Sequence, residues 1–154
     1  MQAQRDDAWH DQQYNNRARV ADSARILGRW TEASALVRRQ LDARLDLAYG
    51  DDPAERLDVF PAEHPGSPVL LFIHGGYWRA LDKSDHSFVA PAFLKAGAAV
   101  VVPNYGLCPQ ASIAQIALQM SQALVWTWRH AREFGGDPSR IGVVGHSAGA
   151  HLAA

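Results

Sequence analysis

Ser147 stands in Gly145-His146-Ser147-Ala148-Gly149, a G-x-S-x-G run whose residue types and spacing suit nucleophilic attack on a carbonyl carbon. The chemistry needs the hydroxyl presented on a tight strand-to-helix turn in a strained backbone conformation. Side chains two positions to either side would collide inside such a turn, and Gly145 and Gly149 remove them. The turn points the hydroxyl away from the sheet, near the positive end of the following helix. It also faces the Ala148 N–H toward the place where negative charge develops. The competing readings are an ordinary Gly-rich turn and a phosphate-cradling loop. Glycines 142, 145 and 149 do not fit G-x-G-x-x-G and no G-K-[ST] follows, so the phosphate loop is the poorer of the two.

A second motif, His74-Gly75-Gly76-Tyr77-Trp78, lies upstream. Its glycines permit close approach of backbone to substrate, and the N–H groups of Gly76 and Tyr77 could join that of Ala148 around one oxygen. His74 reads as a loop histidine bonded locally. Tyr77 and Trp78 divide between lining a pocket and filling the core. With His146 they are the expected substrate contacts.

Both motifs require buried strands ahead of them, and the sequence supplies these. Val69-Leu70-Leu71-Phe72-Ile73, Ala98 to Val102 and Arg140-Ile141-Gly142-Val143-Val144 are short apolar runs of the kind found in strands covered on both faces, expected at 68–73, 98–103 and 140–145. Residues 43–60 alternate instead, with Leu45 and Leu47 and then Leu57 and Val59 facing one way, which predicts an antiparallel edge pair around the Gly50-Asp51-Asp52-Pro53 break. Ser84 is a candidate cap for a helix ending at Gly97, although Pro91 implies a kink or a later start. Ile113, Ile116, Ala117, Met120, Leu124 and Trp128 form an apolar stripe on a helix closed by Phe134-Gly135-Gly136. Residues 147–154 begin another helix. Ile26, Leu27, Trp30, Leu36 and Val37 recur at near-helical spacing, giving an N-terminal helical extension over 1–40 ahead of an α/β unit over 41–154. Alternating strands and helices predict a mainly parallel sheet with helices on both faces.

Composition narrows the partners. Fifteen basic against sixteen acidic side chains leave a net charge of -1, with no electrostatic footprint for nucleic acid or an anionic membrane. Cys108 is the only cysteine, which rules out an internal disulfide framework, and nothing beside it in sequence would activate it as a nucleophile. The polar start and the lack of a long apolar run fit a cytoplasmic protein acting on a small molecule. Self-association into a homo-oligomer is compatible with the sequence. Asp82, Asp85 and His86 read as a solvated helix start rather than a charged pocket lip.

The two glycine motifs, together with Asn104-Tyr105-Gly106-Leu107-Cys108-Pro109 and the continuation Ala150-His151-Leu152, resemble α/β-hydrolases of the arylformamidase (kynurenine formamidase) group, relatives of the hormone-sensitive-lipase-like esterases. The Tyr49-Gly50 turn before Arg56-Leu57-Asp58-Val59-Phe60 and the Asn15-Asn16-Arg17-Ala18-Arg19 lead-in are similar too. The resemblance implies hydrolysis of N-formylkynurenine-like aryl formamides to formate and amine, a step of tryptophan catabolism. It implies Ser147 as nucleophile, Gly76, Tyr77 and Ala148 as oxyanion donors, and no metal or organic cofactor.

In that fold the acid and histidine of the triad follow the serine. Seven residues follow Ser147, none of them Asp or Glu, and His151 lies a turn further along the same helix. The expectation is therefore the N-terminal part of a hydrolase, inactive or nearly so by itself. A carboxylesterase and a non-catalytic fragment are the alternatives.

Overall fold

A computed structural model describes residues 6–154; the first five residues of the expected extension lie outside the described residues. Three helices come first: α1 (Asp7–Tyr14), α2 (Asn16–Arg19) and α3 (Ser23–Gln40). Asp6 caps α1 by accepting from the Trp9 N–H, and Asn15 caps α2 by accepting from that of Ala18. Strands β1 (Arg44–Ala48), β2 (Arg56–Phe60), β3 (Ser67–Ile73), β4 (Ala99–Pro103) and β5 (Gly136–Gly145) form one sheet in the order β1-β2-β4-β3-β5. The pairs β1·β2 and β2·β4 are antiparallel, while β3·β4 and β3·β5 are parallel. This is the α/β-hydrolase arrangement of parallel strands with an antiparallel edge.

Alternation along the strands assigns side chains to two cores. Leu57, Val59, Val69, Leu71, Ile73, Ala99 and Val101 point to one face, under helix α5 (Ile113–His130) and α6 (Ala148–Ala153). Phe60, Phe72, Val100 and Val102 point to the other, where Val37 and Leu41 at the end of α3 and Leu94 of α4 (Ala90–Lys95) cover them. Each fully buried aliphatic or aromatic side chain in these layers contributes on the order of 1.5–3 kcal/mol, which is what makes the sheet a rigid platform. Among the described residues no helix is long and apolar enough to cross a membrane.

Five expectations need correction. Strand β5 is not covered on both faces: from Arg140 to Gly145 its residues alternate between exposed and half-buried, because it lies at one edge of the sheet. The turn after the 74–78 loop is capped by Asp82, whose side chain accepts from the Ser84 N–H. Two short 3₁₀ turns follow before α4 begins at Ala90. Pro91 then falls in the first helical turn, where its missing N–H costs nothing. This segment is also far from solvated, since Lys83 and His86 are buried. Strand β2 is covered on both faces rather than half-buried, because α3 and Lys83 close over Asp58. Finally, the buried face of α5 runs through Ile116, Met120, Ala123 and Thr127, leaving Ile113, Leu124 and Trp128 exposed.

Candidate functional site

Strands β3 and β5 are parallel neighbours, in register from Val69↔Ile141 to Ile73↔Gly145, so the loops at their C-terminal ends emerge side by side. The His146 N–H donates to the Ile73 carbonyl at 3.1 Å, stitching one loop to the other. At the tip of the second loop Ser147 has φ 53° and ψ -118°, a conformation that L-residues avoid and that the surrounding contacts must enforce. Those contacts leave no room for side chains. A Cβ on Gly149 would run into the Ile73 and His74 carbonyls, and one on Gly145 would strike the Gly149 carbonyl.

The first loop abuts the serine directly. A Cβ on Gly75 would lie 2.7 Å from the His146 carbonyl oxygen and 3.1 Å from Ser147 Cβ. The chain then passes through a run of left-handed residues, Gly76 (φ 117°), Tyr77 (φ 58°) and Trp78 (φ 56°), closed by the Arg79 N–H donating to the Gly76 carbonyl at 3.1 Å. Among the described residues the N–H groups of Gly76, Tyr77 and Ala148 take no backbone acceptor. The Ser147 hydroxyl likewise has no partner among them, so no histidine or carboxylate is in place to take its proton.

What holds the first loop is a buried polar network. His74 is fully buried and stacks on Tyr105 with ring centres 4.3 Å apart. The Tyr105 hydroxyl donates to the His74 carbonyl at 2.8 Å. His74 Nδ1 is 2.7 Å from the Gly75 carbonyl and Nε2 is 3.1 Å from Asn104 Oδ1; both partners are acceptors, so the neutral ring's single proton suits the shorter contact. Burial holds the His74 pKa below the ordinary imidazole value and favours that neutral ring. Asn104 is itself fixed: its amide donates to Asp82 Oδ2 at 2.8 Å, and its Oδ1 accepts the Lys83 N–H at 3.1 Å. Lys83 Nζ reaches between Asp46 Oδ1 and Asp58 Oδ1 at 2.6 and 2.7 Å.

His74 therefore packs and bonds locally, as its sequence context indicates. The sequence reasoning did not assign Asn104, Tyr105, Lys83 or Asp58 any part in holding the loop. One signal was available: Asp58 sits between Leu57 and the apolar Val59-Phe60 in a strand.

A cavity of about 740 Å³ opens over the serine. Gly76, Tyr77, Leu81, His146 and Ser147 form its floor, and Tyr14, Val20, Ile26, Leu27 and Trp30 of the N-terminal helical segment wall it. Tyr77 and His146 thus line the cavity. Trp78 does not: its left-handed backbone turns the indole toward the core cluster, where it meets His151 edge-on with ring centres 5.2 Å apart. His151 is accordingly an exposed neighbour of Trp78. Cys108 is half-buried against the core, and its N–H donates to the Trp78 carbonyl at 2.7 Å. Among the described residues no three His, Cys, Asp or Glu side chains converge to hold a metal ion.

Comparison with known proteins agrees with this fold. The BD-FAE family model matches residues 57–154. Kynurenine formamidase of Danio rerio is 33% identical over 112 residues, covering 71% of this chain and 37% of that protein. The isoprenylcysteine alpha-carbonyl methylesterase ICME of Arabidopsis thaliana is 35% identical over 113 residues, covering 72% of this chain and 26% of that protein. A solved structure from Silicibacter sp. tm1040, described as a candidate thioesterase, superposes with a TM-score of 0.82 at 39% identity, covering 92% of this chain and 53% of that one. The chain spans well under half the length of the two curated relatives.

Proposed function

We infer that this chain, which belongs to the BD-FAE family of α/β-hydrolases, carries the nucleophile and oxyanion half of a serine hydrolase acting on aryl formamides of the N-formylkynurenine kind. The observation that supports the reading most is the left-handed Ser147 turn set against Gly75. In the proposed reaction Ser147 Oγ attacks the formyl carbon as its proton passes to a base. The carbonyl oxygen becomes an oxyanion held by the N–H groups of Ala148 and of Gly76 or Tyr77. The C–N bond breaks, the amine leaves with a proton returned from the base, and water then releases formate from the acyl-serine. The reading assigns the base and its acid to segments outside residues 1–154. The formamidase relative supports the formamide. The methylesterase relative supports a second reading, in which the same attack opens a small carboxylic ester.

The test compares turnover of N-formylkynurenine and a short p-nitrophenyl ester. It uses the 154-residue protein and the protein joined to whatever its reading frame encodes beyond Ala154. The longer protein should turn over the formamide, and Ser147→Ala should abolish this. The short one should retain no more than the roughly 10³ to 10⁴-fold acceleration over water that binding and an oxyanion hole give without a base. Turnover unaffected by Ser147→Ala sinks the reading.

A further inference from the structure

The N-terminal helices do more to the Ser147 cavity than cover it, because they bring charge to it. Arg17 of α2 and Arg79 of the 74–81 loop both line the cavity. Among the described residues neither guanidinium has an ion-pair or hydrogen-bond partner. This contrasts with Arg19 two residues on, whose guanidinium bonds to Gln13 at 3.0 Å, and with Arg38, which faces Asp58 at 3.8 Å. Among the described residues the only carboxylate on the cavity wall is Asp11, so two guanidiniums against one acid leave the wall net positive. In the same cavity Tyr14, Val20 and Tyr77 remain 65%, 47% and 64% exposed, apolar surface that a bound ring or chain would cover.

We propose that Arg17 and Arg79 form a carboxylate-recognition site on the wall of the Ser147 cavity, selecting acyl substrates that carry an aromatic group and an anionic tail. A guanidinium fork matches a carboxylate with two parallel N–H···O bonds, and Arg keeps its charge at any working pH. The apolar wall takes the ring, and the arginines hold its tail. The proposal rests on the serine-hydrolase reading for the direction in which the substrate lies. The site itself is a binding site and can be measured without turnover.

The experiment titrates the 154-residue protein by calorimetry with 3-benzoylpropionate and with its neutral primary amide, which share ring, ketone and length. The carboxylate should bind about tenfold more tightly at low salt and lose that advantage as salt rises. Arg17→Gln and Arg79→Gln should each cost the carboxylate roughly threefold to tenfold, and the double variant should bind acid and amide alike. Arg29→Gln, on an exposed part of α3 outside the cavity, should keep the full preference. The amide's affinity in each variant shows that the cavity is intact. Equal affinity for the two compounds, no measurable binding of either, or a preference that survives the double variant overturns the proposal. Failure of the hydrolase reading is a separate result, since it appears as turnover that ignores Ser147→Ala while the carboxylate preference persists.

Discussion

At the scale of single residues, the groups that matter most are buried and charged or titratable. Lys83 is 3% exposed and joins Asp58, whose side chain is fully buried, to Asp46, whose side chain is 67% exposed. The two carboxylates therefore differ in what Lys83 does for them. Its hydrogen bond draws the Asp46 pKa below the usual carboxylate value, yet water would solvate that group anyway. Lys83→Met leaves Asp58 in the core with the Asp46 N–H at 2.9 Å and Arg38 at 3.8 Å but without its close cation, and should cost about 3–5 kcal/mol. Asp46→Asn should cost below about 1 kcal/mol. Urea unfolding of both variants checks the order, and equal losses would refute it. His86 makes the complementary case. It is 1% exposed among Trp30, Phe72, His74 and Phe88, with Nδ1 3.1 Å from the Asp82 carbonyl. Burial pushes its pKa from 6.5 down to about 4. The folded pKa is thus below the unfolded one, so the unfolded chain takes up the proton first as pH falls. Stability from the neutral ring is complete above the unfolded value and is lost between about pH 6.5 and 4, on the order of 3 kcal/mol. His74, lowered by the same cause, adds with the same sign. The urea midpoint should fall between pH 7.5 and 4.5, and should fall less in His86→Gln; an unchanged slope in that variant would contradict the assignment.

At the scale of elements, the joint between β3, β5 and α6 decides where Ser147 sits, and two glycines test it. Gly149→Ala presses a methyl group into the Ile73 and His74 carbonyls. It should cost more than about 2 kcal/mol and displace the proposed oxyanion donors together with the serine. Gly142→Ala, within β5, meets nothing within 4 Å and should be neutral or stabilising by less than about 1 kcal/mol. Thermal melts that rank the two the other way would show that the joint is not the tight point. Strands β3 and β4 and both motif loops were legible in the sequence because largely covered strands are written as continuous apolar runs; β5 carries the same kind of run yet its Arg140–Gly145 stretch is exposed to half-buried, since a sheet edge leaves no mark in the run itself. The inner face of α5 was not, because the residues reaching the core include small ones: Ala123, and Thr127, whose hydroxyl donates to the Ala123 carbonyl at 2.8 Å. Larger apolar residues such as Trp128 face outward, so hydrophobic spacing finds Ile116 and Met120 but misses Ala123 and Thr127. Trp78 was illegible for a different reason, since only the left-handed run after Gly75 turns it from the cavity to the core. The Asp58–Lys83 pair spans 25 residues and two elements, and neither partner's neighbours in sequence announce the other.

At the scale of the molecule, the sheet has two edges that differ in their protection. β1 is five residues long, carries Arg44 and Asp46 outward, and breaks register at Asp46, which has φ 58°. Charge and irregularity of this kind blunt an edge against pairing. β5 is ten residues long and among the described residues pairs only with β3, which leaves the backbone groups of its other side open. Its last five residues, Ile141-Gly142-Val143-Val144-Gly145, hold no charge, and Val144 is 42% exposed. Such an edge is a template for a second strand, and in the 154-residue protein the available strand is β5 of another copy. The pairing would be antiparallel about a two-fold axis, since each copy then offers the same edge to the other. The protein should therefore associate as its concentration rises, and Val144→Lys should shift it toward monomer, because a lysine there would bring like charges together across the axis. Sedimentation velocity over a hundredfold concentration range reads both effects, with far-UV circular dichroism confirming that the variant keeps its fold. A wild-type protein that stays monomeric throughout would show that the open edge is guarded by something other than charge. Association undiminished in Val144→Lys would move the contact to the exposed Leu118, Val125 and Trp128 of α5.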